Sequence, residues 1–202
     1  MATAVAGPEE LIAGGTRPPG DVPDEIFGAA LAIFLSPRRL DMRALALELG
    51  IGRATLYRRA GNRDNLLGAV VWYLTRRALA PAIDAAAGLE GRERVVAIVD
   101  RFMRFVHVQP ALHRFLDEEP EAALRILTSK NGPVEGGIVE ALERLLADEE
   151  ARGALRLTID RSTLAYVIVR IGESFLYADV IADNEPDVAL AVDVIERLLR
   201  AS

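Results

Sequence analysis

The sequence predicts an all-α protein, with an N-terminal three-helix helix-turn-helix domain and a larger C-terminal helical bundle. Three observations predict it. Aromatic residues make up only 5% of the chain, and β-branched residues nowhere alternate with polar ones over a long stretch. Apolar residues instead recur three and four apart in segment after segment. Proline, glycine, asparagine and aspartate interrupt these segments at helix-sized intervals. A chain of 202 residues, 51% apolar and 27% charged, suffices for one small domain and one larger one.

Residues 1–20 hold Gly14, Gly15, Pro18, Pro19 and Gly20 among small residues and are expected to form a disordered tail. Residues 21–68 are expected to form the helix-turn-helix domain, and 69–202 the ligand-binding and dimerisation domain. Helix one opens near Asp21–Asp24 with Pro23 and acidic residues in its first turn, and Ser36-Pro37 ends it. Asp41 can cap a short second helix, Met42 to Leu49, followed by Gly50, where the chain needs the left-handed region. A third helix covers Arg53 to about Arg59, and Ala60-Gly61-Asn62 breaks it. Asn62 then caps a long helix to about Ala80, with Pro81 marking a kink or a break. The remaining helices are Arg92–Val108, short ones from Pro110 and from Pro120, and Val134–Ala151 after Asn131-Gly132-Pro133. One capped by Asp160 or Ser162 runs to about Ala182, and the last spans Asp187–Arg200.

Several classes of function are excluded. The chain has no cysteine, so it has no disulfide, thiolate metal site or cysteine nucleophile. His107 and His113 lie six apart with Pro110 between them, which does not suit a paired metal site, and no metal is expected. No glycine-rich phosphate loop and no serine-histidine-carboxylate spacing occurs, so no cofactor and no catalytic residue is expected. Glu118-Glu119 and Glu149-Glu150 read as solvated surface acids. No apolar run reaches the roughly 18–20 residues that cross a bilayer, so no membrane partner is expected. The opening MATAVAGPEELIAGG lacks a basic region and carries Glu9 and Glu10, which points to a cytoplasmic protein.

The net charge of −6 conceals a basic segment: Ser36 to Arg63 holds seven arginines against Asp41 and Glu48. Two short helices joined through Gly50, the second rich in arginine, meet the needs of a DNA-reading motif. One helix braces the other, a tight turn sets their angle, and the second is slim enough for a major groove about 12 Å wide. Ala46 is small where the helices cross, and Ile51 and Leu56 pin the second helix to the core. Arg53, Ala54, Thr55, Tyr57 and Arg58 then face outward.

The stretch LDMRALALELGIGRATLYRRAGNRDNLLGAVV resembles the DNA-binding domain of the TetR family, through Met42-Arg43, Ala46, Gly50-Ile51-Gly52, Thr55-Leu56-Tyr57 and Arg63-Asp64-Asn65-Leu66-Leu67. The resemblance covers about residues 22–70. It implies that Arg43 reaches DNA from the second helix, that Arg53, Ala54 and Thr55 face base edges or phosphate, and that Tyr57 bonds a phosphate. Arg63 replaces the family's phosphate-binding lysine, and Arg38 and Arg58 contact the backbone. Two positions depart from the pattern: Arg59-Ala60 stand where an aromatic pair is usual, and Gly52 replaces a serine cap.

Leu164 to Ile181 is apolar on nearly all sides, which calls for a second wall that another subunit can supply. Its resemblance to TetR relatives, with the last helix, implies a four-helix dimer interface and a homodimer reading a palindromic double-stranded DNA operator. Arg170 and Glu173 interrupt this helix at i and i+3, either as a salt bridge fixing dimer register or as a polar handle in a ligand pocket. The surrounding AYVIVRIGESFLYADVI resembles the regulatory domain of QsdR-type regulators, which control lactone or quorum-signal breakdown. Pocket candidates are Trp72, Phe102, Phe105, His107, Phe115, Tyr166 and Tyr177, with Arg170 and Glu173. Such walls suit a small hydrophobic ligand with one polar head, such as an acyl chain or lactone. A small helical enzyme, or a dimeric interaction module that does not bind DNA, is the alternative.

Overall fold

The structure is a computed structural model and describes residues 22–130 and 132–201. The tail expected over residues 1–20 lies outside the described residues. The described residues form helices and no strand: α1 (Asp24–Leu35), α2 (Met42–Glu48), α3 (Arg53–Ala60), α4 (Arg63–Asp84), α5 (Gly91–His107), α6 (Pro110–Glu118), α7 (Pro120–Leu127), α8 (Pro133–Ala151), α9 (Arg161–Leu176), α10 (Ala178–Ala182) and α11 (Val188–Ala201). None is long and apolar enough to cross a membrane.

Local chemistry sets the starts. The Asp41 carboxylate accepts from Ala44 N–H at 2.7 Å, and the Asn62 side chain from Asn65 N–H at 2.8 Å. Of the two expected caps for α9, Asp160 serves, accepting from Thr163 N–H at 3.1 Å and from the Ser162 hydroxyl. Those bonds hold the Asp160 carboxyl below the usual carboxylate range. Gly50 takes φ +65°, the left-handed conformation that its place after α2 requires.

Two expected boundaries shift. Pro81 does not end α4, which continues to Asp84. The proline costs about 3 kcal/mol in a helix interior. Ala78, Leu79, Ala82 and Ile83 are all buried around it, and burial worth about 1.5–3 kcal/mol for each large aliphatic side chain outweighs that cost. The helix expected to reach Ala182 instead stops at Leu176, where buried Tyr177 leaves helical geometry at φ −113° and ψ 24°, and α10 follows.

α4 is the spine, packing against α1 on one side and α5, α7 and α8 on others. Ile26, Leu45, Leu56, Leu66 and Val70 are fully buried and tie α1–α3 to its first half. Beyond it α8 lies on α9, and α11 lies on α5 and α9. A charged cluster locks the start of α5 to the end of α8. Buried Glu149 accepts from the Gly91 amide at 2.6 Å, from Arg94 Nη1 at 2.7 Å and from Arg152 Nη1 at 3.0 Å. Glu149 is therefore a core residue and not the solvated acid expected from the sequence. Gly91 sits at φ +56° with a Cβ position only 2.2 Å from the Ala154 carbonyl oxygen, so no side chain fits there.

Candidate functional site

The head, α1–α3 with the start of α4, presents α3 to solvent. Leu56 and Ala60 are buried and Ile51 is half-buried, so one face of the helix is anchored. Arg53, Ala54, Tyr57 and Arg58 lie on the exposed face, Thr55 is half-buried, and Arg43 is exposed on α2. The Tyr57 side chain is half exposed. Arg38 pairs with Glu48 at 3.1 Å and Arg59 with Glu25 at 3.4 Å, both at the surface where such pairs are weak and salt-sensitive.

Arg63, expected to bind phosphate, is bonded within the protein. Its Nε donates to the Leu40 carbonyl at 2.7 Å and its Nη2 to Glu119 at 2.6 Å. Glu119, at the junction of α6 and α7, is largely buried and also pairs with Arg39 at 2.8 Å. Arg114 Nη2 donates to the Phe34 carbonyl at 2.5 Å, and Arg125 pairs with Asp64 at 2.8 Å. The α6–α7 unit is thereby tied to the head at three points. Glu119, Arg39 and Arg114 were missed as functional residues because these partners stand 56 and more residues apart, and no local pattern announces them.

Behind the head lies a cavity of about 370 Å³, bounded by α1 and α4–α9. Its walls are mostly aliphatic, and Phe34 of α1 and Leu112 of α6 join Val71, Leu142 and Val169. Polar groups on the wall are few: Thr75, Arg77, Gln109, Glu173 and Tyr177. This is the size and character of a pocket for a small amphiphile.

The carboxylate of Glu173 is the cavity's buried charged group. Its Oε2 accepts from Arg170 Nη1 at 2.6 Å, and its Oε1 has no partner. Glu135 of α8, also buried, lies 3.8 Å from the same Arg170 nitrogen, so two buried carboxylates share one guanidinium. Burial pushes the Glu173 carboxyl up to about 7; Arg170 opposes this and Glu135 adds to it. Burial, and then Glu173, push the Tyr177 phenol up. Between about pH 4.5 and 7 the folded protein holds a proton that the unfolded chain releases, so stability falls as pH rises through that window. Glu173→Gln is expected to flatten this slope, removing a change on the order of 3 kcal/mol in urea-unfolding curves between pH 5 and 8.

Of the residues expected in the pocket, Phe102, Phe105, Glu173 and Tyr177 line the cavity. The other five do not. The Trp72 ring packs over Gly137 on α8, whose Cβ position would lie 2.3 Å from it. Phe115 packs edge-on to Phe34 with ring centroids 5.7 Å apart. His107 sits edge-on to His113, whose Nε2 meets the His107 carbonyl oxygen. Tyr166 points outward, 45% exposed, and Arg170 reaches the site only through its ion pair with Glu173.

A cavity-bearing helical body behind an outward basic helix defines a class of protein, the ligand-binding transcriptional regulators. The family described as "Tetracyclin repressor-like, C-terminal domain" matches residues 90–200. The chain belongs to this family, TetR. Among solved structures it is similar to the transcriptional repressor QsdR of R. erythropolis, with 32% identity over 87% of this chain and 92% of that one and a TM-score of 0.80. It shares the fold of the repressor AlkX from Dietzia sp. strain DQ12-45-1b, at 23% identity over 90% and 98% of the two chains with a TM-score of 0.59. It also shares that of FadR from Bacillus subtilis in complex with stearoyl-CoA, at 13% identity over 87% and 96% with a TM-score of 0.53. No curated protein matches the chain.

Proposed function

We propose that the protein is a homodimeric repressor that holds a palindromic operator and leaves it when a small hydrophobic ligand, of acyl or lactone type, enters the cavity. The observation that carries this is the pairing of an anchored, outward α3 bearing Arg53, Tyr57 and Arg58 with an apolar cavity walled by the same α1 and α4 that hold the head. AlkX is described as implicated in the biodegradation of n-alkanes, and the B. subtilis FadR as a complex with stearoyl-CoA, which supports a ligand with an apolar chain. The second copy has a natural seat. α9 leaves Tyr166 exposed and Val167, Ile171 and Phe175 partly exposed along one stripe, and Leu190 on α11 is 48% exposed.

Ligand entry presses on α1, α4 and α6, and the ties through Glu119 and Arg114 carry that displacement to the head. Arg63 reaches phosphate when Glu119 releases it. Glu119→Gln is expected to bind DNA a few-fold more tightly at low salt and to steepen the salt dependence by roughly one to two phosphate contacts, as Arg63 and Arg39 become available. Fluorescence anisotropy over a salt series measures both.

The test of the reading is the same titration with the unaltered protein on a duplex carrying its operator. DNA binding by the basic helix predicts an affinity that falls steeply, by about 10³-fold or more between 50 and 200 mM salt. A flat response would favour a protein-interaction module instead.

A further inference from the structure

Glu173 on the cavity wall shares the Arg170 guanidinium with Glu135, a buried carboxylate of α8. We infer that Glu173 makes the cavity selective for an apolar chain ending in a neutral hydrogen-bond donor, a hydroxyl or an amide N–H, and that it rejects the same chain ending in a carboxylate. This rests on the cavity being the effector site, as proposed above, and adds the chemistry of the head group.

Glu173 is on the cavity wall and its side chain is only 8% exposed. One of its oxygens is taken by Arg170 and the other has no partner, although a buried acceptor without a donor is costly. A ligand that brings a donor removes that cost. The charge around it opposes an anion. Glu135 from α8 and Glu173 itself face the single guanidinium of Arg170, which is already closed on Glu173 at 2.6 Å. Tyr177, one turn on and also on the wall, adds no positive charge. The cation on the wall, Arg77 of α4, is exposed and bonded to the Tyr73 hydroxyl at 3.2 Å, and it makes no contact with Glu173. A second carboxylate brought beside Glu173 in this poorly hydrated site meets repulsion that water does not screen. Burial first, and then Glu135, raise the proton affinity of Glu173 against the opposing pull of Arg170.

The probes are 1-decanol and decanoate, which differ only in the head, measured by titration calorimetry at pH 8.5. The unaltered protein should bind 1-decanol at least roughly tenfold more tightly than decanoate. Glu173→Gln keeps an acceptor without the charge. It should retain 1-decanol binding and strengthen decanoate until the two lie within about threefold. Equal binding of both probes by the unaltered protein, or an unchanged gap in Glu173→Gln, overturns the inference and leaves the cavity as effector site. Val169→Trp, which fills the cavity, should abolish both. Binding that survives that variant, or no binding of either probe to the unaltered protein, overturns the effector-site reading and the inference with it.

Discussion

Glu149→Ala is expected to lower the unfolding free energy by about 3–5 kcal/mol, the cost of leaving a buried charge without its partner. The Glu149 side chain is fully buried and Arg94 is 4% exposed, so the arginine left behind has no water to turn to. The Gly91 amide loses its buried acceptor at the same time. α5 and α8 both line the cavity, so the loss is expected to loosen its walls as well. Urea unfolding at fixed protein concentration measures the change, because a dimer's stability depends on concentration. The double variant Arg94→Met with Glu149→Leu removes both charges and is expected to recover most of the loss. A single-variant effect below about 1 kcal/mol would contradict a buried, coupled cluster.

Arg53→Ala is expected to weaken operator binding by roughly 2–6 kcal/mol per dimer, since each copy loses a contact worth about 1–3 kcal/mol. Arg53 stands at the first position of α3, exposed, on a helix whose inner face is fixed by Leu56 and Ala60. The head keeps its core, so the variant should unfold at the same denaturant concentration as the unaltered protein. The loss should fall mainly on specific DNA. Arg58→Ala, a backbone contact in this account, should instead weaken specific and non-specific binding about equally. Anisotropy titrations on an operator and on a scrambled duplex separate the two.

The head was legible in the sequence because its determinants are local. Asp41, Gly50 and Asn62 each act within a few residues, and the anchoring of α3 follows from the spacing of Leu56 and Ala60. The arginine-rich outer face could therefore be placed without a structure. The body was legible only as helices. Which aromatic faces the cavity depends on helix rotation, and a helix such as α9, apolar on nearly every side, carries no periodic mark of its inner face. Trp72, Phe115 and Tyr166 went elsewhere for reasons that lie in distant partners: Gly137, Phe34 and an uncovered outer stripe. Arg170 and Glu173 were read as a pair from their i, i+3 spacing, and they are one. The third member, Glu135, lies on another helix and left no trace in that spacing. The same holds for Arg63, whose partner Glu119 read as a surface acid and is instead largely buried between head and body.

Two copies of α3 are expected to enter successive major grooves of one duplex. Selection of bound duplexes from a randomised pool by the full chain tests it most directly. The expected result is an enriched inverted repeat whose two halves are separated by a whole number of helical turns, about 34–36 Å each, with the enrichment lost in Arg53→Ala. Recovery of single, unpaired half-sites, or of no sequence preference at all, would contradict it.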